Sequence, residues 1–332
     1  MNNVNSLLSY KDYKDKTTNK NGDRVFVDNE GSSWKIYEKQ DPYTTFITTS
    51  PSTDNSQQFG FRTVARNDGR VFVASAPDKG QGEVHFFFRN SNTPGTTYTV
   101  QASQTMTDND DNTSKLGYSL SISTDENFVV AGAPFANAVG IDGSTRFVDS
   151  GLVKVYVWNA TDFKYDELAT LTSPNDASSD LVNANFGWST AVAEPVGSSV
   201  RSTTPKYLFV SAPGENVDSG AVHVYTWGVG SDGSTYDTWT HTSIINSNEQ
   251  NTNRFGHKVV VNDNGDILAV ASKNPGTAGQ VEIFTRTGNS NDDSTELRWT
   301  HRQTLKGVSS DGSTLNTGFG EDLAMSKDGN TL

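Results

Sequence analysis

The chain has 332 residues, no cysteine and a net charge of −13. That charge excludes nucleic acid as a partner, since phosphate binding needs a basic surface, and the missing thiols exclude disulfides and cysteine nucleophiles. No stretch approaches the ~20 apolar residues of a membrane-spanning helix, so membrane insertion is not expected. Asn, Asp, Ser, Thr and Gly dominate, which suits many short strands joined by many turns. Residues 1–22 are polar, and Tyr10-Lys11-Asp12-Tyr13-Lys14-Asp15-Lys16 alternates in charge, as a solvated arm or a degraded first strand would. This start has neither the basic opening nor the apolar run of a secretory signal.

From residue 23 to 332 the chain repeats itself. Arg24-Val25-Phe26-Val27 matches Arg70-Val71-Phe72-Val73, and Trp34-Lys35-Ile36-Tyr37 matches a later third strand. Phe59-Gly60 leads to Val71-Phe72-Val73-Ala74-Ser75-Ala76-Pro77 and then Gly82-Glu83-Val84-His85. Leu116-Gly117 leads to Phe128 through Pro134 and Gly151-Leu152-Val153; Phe186-Gly187 leads to Tyr207 through Pro213 and Gly220-Ala221-Val222. Phe255-Gly256 leads to Ile267 through Ser272, with Asn274-Pro275 in the Ala-Pro place, then Gly279-Gln280-Val281. A fifth opening, Phe319-Gly320, runs to the end of the sequence. Repetition at a fixed period is a fold signature that outranks any single motif.

Each unit reads as four short strands. The first follows the Phe-Gly; a turn such as Asn67-Asp68-Gly69 or Asp263-Asn264-Gly265 leads to the second. Ala-Pro ends the second, because proline has no N–H to extend a ladder. A glycine opens the third, and alternating large residues (Trp239-Thr240-His241, Trp299-Thr300-His301) form the fourth. Four strands per unit arranged radially make propeller blades. The expected fold is an all-β propeller with about five blades' worth of sequence, repeats opening at 59, 116, 186, 255 and 319. The C-terminal first strand and the N-terminal later strands would share one blade and close the ring; part of a seven-bladed propeller is the alternative.

These motifs resemble the FG-GAP repeat of integrin-α-type β-propellers. The resemblance covers residues 59–332 and, in degraded form, about 23–58. It implies a non-enzymatic interaction module on a cell or virion surface, in contact with a protein or glycan, or with copies of itself in an assembly. A carbohydrate-active propeller enzyme is the alternative. Family members use the face that carries the loops between strands two and three, which points here to the insertion at 135–150. Phe135, Asn137, Ile141, Arg146 and Phe147 are its candidate contact residues, and a loop folded on its own blade is the competing reading.

The family also places calcium in Asp-rich first turns. The nearest match is Asp263 and Asp266 in Asn262-Asp263-Asn264-Gly265-Asp266, which is short for a full oxygen ligand set. Asp108, Asp110 and Asp111 are a second acidic candidate; solvated turns are the competing reading for both, and no other cofactor is expected. The five histidines fall at repeat-register positions: His85 and His223 on strand three, His241 and His301 after Trp-Thr, His257 directly after Phe255-Gly256. They read as packing or rim residues. No serine sits in a nucleophile elbow and no Gly-rich phosphate loop occurs. Pairs of carboxylates brought together between blades stay open.

Overall fold

A computed structural model describes residues 25–30, 33–38, 58–66, 70–88, 114–124, 127–138, 145–175, 181–194, 206–229, 235–249, 254–273, 279–287, 298–307 and 318–332. The molecule is an all-β propeller. β1 (Val25–Glu30) and β2 (Ser33–Glu38) pair as a two-stranded antiparallel sheet. β3 (Thr63–Ala65), β4 (Val71–Ala76) and β5 (Glu83–Phe88) form the first blade in the order β3-β4-β5. The second blade holds β6 (Ser119–Ile122), β7 (Phe128–Ala133), β8 (Leu152–Asn159) and β9 (Lys164–Thr172). The third holds β10 (Thr190–Ala193), β11 (Lys206–Ala212), β12 (Ala221–Val229) and β13 (Thr235–Ile245). The fourth holds β14 (Phe255–Val261), β15 (Ile267–Ser272), β16 (Gln280–Thr287) and β17 (Arg298–Lys306). All pairings within these blades are antiparallel between sequence neighbours, so each hairpin turn sets the register of the next strand.

The cores lie between blades. Because side chains alternate across a strand, strand two of each blade sends residues to both neighbours. Val129 and Ala131 pack with Val73, Phe86 and Tyr165 toward the first blade, while Phe128 and Val130 pack with Phe186, Leu208 and Trp239 toward the third. Phe209 and Val224 meet Phe255, Leu268 and Phe284 between the third and fourth blades. Ala269, Ala271 and Val281 take Phe319, Leu323 and Met325 from the fifth repeat. A strand buried on both faces must be apolar throughout, which is why β7 reads Phe-Val-Val-Ala-Gly-Ala.

A backbone junction repeats with the blades. Gly82 bridges Leu116 and Gly151 bridges Phe186, both in parallel. The amides of Leu116, Phe186 and Phe255 donate to the carbonyls of Gln81, Ser150 and Ser219, at 2.9, 3.0 and 3.1 Å. A Cβ on Gly82, Gly151, Gly220 or Gly279 would overlap the backbone of the next repeat's Leu116, Phe186, Phe255 or Phe319. The glycine that opens strand three is therefore the seat for the following repeat, and the four junctions string five repeats in order around one axis. Thr97-Tyr98-Thr99-Val100, which the four-strand repeat assigns as the first blade's fourth strand, and the arm at 1–22 lie outside the described residues.

Candidate functional site

The Phe-Gly openings end at the axis, on the same face as the loops between strands two and three. All five contribute to one cavity of about 240 Å³, lined by Phe61, Arg62, Tyr118, Trp188, His257 and Glu321 among others. The position immediately after each Phe/Leu-Gly supplies one residue of a ring. Phe61 meets Tyr118 at 5.4 Å between ring centroids, Tyr118 meets Trp188 at 4.8 Å, and Trp188 meets His257 at 6.0 Å. His257 Nε2 then lies 3.8 Å from Glu321 Oε1. Three repeats form an aromatic arc; two form a polar one.

The next position down the strand holds the ring together. Ser119 Oγ donates to Gly187 O at 2.8 Å, and Ser189 Oγ accepts from Val259 N at 3.1 Å, stitching neighbouring innermost strands. Lys258 Nζ pairs with Asp322 Oδ1 at 2.7 Å, tying the fourth blade to the fifth repeat. At the far end the turns close the axis. Thr124 Oγ1 donates to Asp263 Oδ1 at 2.9 Å, and Asp263 N donates to Lys327 O at 3.0 Å.

The electrostatics of the polar arc follow from burial and pairing. Burial lowers the His257 pKa first of all; Glu321 opposes this, while Lys273, Arg254 and Lys258 reinforce it. The Lys273 ammonium, hydrogen-bonded to Glu321, holds that carboxyl below its usual range. Lys258 does the same for Asp322. Burial raises the Tyr118 hydroxyl, with Arg62 and Arg254 acting against it, and no described residue hydrogen-bonds to that hydroxyl. At neutral pH the arc therefore offers a neutral imidazole beside an ionised carboxylate, facing a protonated phenol.

The residues anticipated from the sequence fare differently. Phe135 stands next to the pocket, with centroids 5.7 Å from Tyr118 and 5.9 Å from Trp188. Asn137, Arg146 and Phe147 instead fold the insertion onto itself. Arg146 Nη1 donates to Asn137 O at 3.0 Å, Asp149 N donates to Asn137 Oδ1, and Phe147 N donates to Ala138 O. Ile141 lies outside the described residues, as do Asp108, Asp110 and Asp111. Asp263 makes the axial contacts above, and Asp266 accepts from Asn262 Nδ2 at 2.6 Å. Among the described residues no group of three His, Cys, Asp or Glu is arranged to hold a metal ion, and no helix is long and apolar enough to cross a membrane. The pocket residues Tyr118, Trp188, His257 and Glu321 were not anticipated as a site, although His257 does fall on a rim. Reading one column, the residue after each Phe/Leu-Gly, would have found them.

No family model matches the chain, and no curated protein matches it. Among solved structures it is similar to a candidate 6-phosphogluconolactonase from Bacteroides fragilis, at 16% identity and a TM-score of 0.45, covering 87% of this chain and 69% of that one. It is similar to the periplasmic gluconolactonase of Pseudomonas aeruginosa, at 14% identity and 0.41, covering 87% and 69%. A thermostable family-43 glycoside hydrolase is similar at 11% identity and 0.39, covering 73% of each chain. At these identities the likeness is one of fold. The comparisons give the expectation of a non-enzymatic protein no support: the solved propellers similar in fold bear the names of enzymes.

Proposed function

We propose that the chain is a carbohydrate-active hydrolase whose active site is the axial pocket. The observation that carries this reading is the division of one five-membered ring into an aromatic arc of Phe61, Tyr118 and Trp188 and a polar arc of His257 and Glu321. A sugar presents C–H faces that stack on aromatic rings and hydroxyls that need polar partners, and this cavity offers both.

The chemistry of the arc favours acyl cleavage over glycosidic cleavage. A glycosidase needs one carboxylic acid kept protonated by a raised pKa. Glu321 and Asp322 are both held low by lysines, so neither fills that role. A neutral His257 steadied by the Glu321 carboxylate can instead take a proton from water as its oxygen attacks the carbonyl carbon of a sugar ester or lactone. The Tyr118 hydroxyl donates a hydrogen bond to the developing oxyanion. The carbon–oxygen bond of the leaving alkoxide then breaks, and the imidazolium returns its proton to that oxygen.

The test is a pH-stat assay of sugar lactones and sugar esters with the whole chain. His257→Ala is expected to lower kcat by about 10²–10⁴-fold, and Trp188→Ala to raise KM more than it lowers kcat. Full activity in His257→Ala would sink the reading, as would the absence of hydrolysis across the panel.

A further inference from the structure

The reading above leaves one pocket group without a partner. Five cations stand in or around the mouth, and four are matched with carboxylates. Lys115 pairs with Asp78 at 3.3 Å, Arg254 with Asp218 at 3.5 Å, Lys258 with Asp322 at 2.7 Å, and Lys273 with Glu321. Arg62 is the exception: among the described residues it makes no ion pair. Its guanidinium lies over the Phe61 ring, 4.6 Å from the centroid, where the aromatic arc meets the polar one. Arg62 also lines the cavity, and its charge reaches both Tyr118 and Asp322.

In a chain of net charge −13, a carboxylate for every mouth cation but one is a selective omission. With its guanidinium carbon over the Phe61 ring, Arg62 has an attractive seat for its charge and N–H donors that no carboxylate of the described residues takes up. A planar fork of this kind matches the oxygens of a carboxylate or a phosphate, two donors to two acceptors. A neutral sugar would use the aromatic arc and leave that fork empty.

From this arrangement we infer that the pocket selects a sugar bearing an anionic group, a carboxylate or a phosphoryl group, and that Arg62 is the residue that reads it. The inference rests on the carbohydrate reading of the same pocket. Arg62 contacts the substituent at the edge of the pocket; it takes no part in proton transfer.

Quenching of pocket tryptophan fluorescence, assigned with Trp188→Phe, measures this directly with three probes: glucose, glucuronate and glucose 6-phosphate. At least one anionic sugar is expected to bind about tenfold more tightly than glucose or better, the size of one charge-assisted bidentate contact. That advantage should shrink as salt is raised. Arg62→Ala should abolish it, so that the anionic sugar binds that variant no more tightly than glucose binds the same variant, and Arg62→Lys should restore part of it. Which anionic sugar gains identifies the group that is read. Equal affinity for all three sugars, or an advantage that survives Arg62→Ala, would overturn the inference and leave the carbohydrate reading standing. No quenching by any of them would overturn both. Arg62 is exposed, and an unchanged melting temperature of Arg62→Ala will show that the variant folds.

Discussion

His257 serves the pocket by remaining neutral. Water exclusion by its neighbours lowers its pKa below the usual imidazole value, so the acid limb of the rate profile is expected below pH ~6.5. The direction of each perturbation is fixed by sign. Lys273→Met removes a positive charge that disfavours imidazolium, so the acid limb should move to higher pH. Glu321→Gln removes a negative charge that favours it, so the limb should move lower while kcat falls. Opposite displacements in kcat–pH profiles would confirm the pairing; identical profiles for both variants would refute it. A second histidine reports on stability. His241 is pushed down to about 4 by burial and by His223. Its folded pKa thus lies below its unfolded value, so the unfolded chain takes up the proton first. The stability this represents is intact above the unfolded pKa and is lost as pH falls toward about 4. Urea midpoints compared at pH 7 and pH 4.5 should fall less in His241→Gln than in the parent chain.

At the level of the element, the repeating unit is a blade together with the junction to the next one. The glycine that opens strand three is confined twice, by a left-handed backbone (φ +84° at Gly151) and by the Phe186 backbone lying against it. Gly151→Ala should therefore cost more than the ~1–3 kcal/mol of a strained backbone alone, because the second and third blades must also separate. The junction's other half is the buried aromatic. Phe186→Ala should destabilise by about 3–5 kcal/mol, since the ring is wholly buried between the second and third blades. Calorimetric melting measures both, and a loss under about 0.5 kcal/mol in either, the size of an ordinary surface change, would contradict the junction. Buried acids add a polar latch between blades. Ser173 Oγ, after β9, donates to Glu215 Oε1 at 2.5 Å, and Ser247 Oγ, after β13, donates to Glu282 Oε1 at 2.5 Å. Each segment leaving one blade thus satisfies a carboxylate buried in the next, which would otherwise be costly to bury.

For the whole molecule, the pocket exists only while the repeats encircle the axis. The fifth repeat supplies Glu321 and covers Ala271 and Val281 with Phe319, Leu323 and Met325. Removal of residues 319–332 should lower the melting temperature, leave His257 without its carboxylate and abolish hydrolysis. Full activity in that truncated chain would show that the fifth repeat is no part of the site. The far end of the axis is closed by turns from three repeats through Thr124, Asp263 and Lys327. Asp263 and Asp266, marked in the sequence as metal candidates, each accept a hydrogen bond at one carboxylate oxygen here, from Thr124 and Asn262.

The repeats of Phe-Gly, Ala-Pro and strand-opening glycine determined the propeller and its antiparallel run of strands, because these follow from local turn chemistry and a period-two burial pattern; the first strand expected after Phe319-Gly320 is instead a segment of turns, with no strand among residues 318–332. The end of the blades at which the pocket lies follows from the same repeats, since every repeat opens at one end of its first strand. The pocket was decided only by tertiary structure. Phe61, Tyr118, Trp188, His257 and Glu321 are 57 to 70 residues apart from one to the next, and each taken alone reads as an ordinary rim residue. Closure around the axis brings them within a few ångströms of one another, and that proximity gives a lone histidine a carboxylate partner and an aromatic wall.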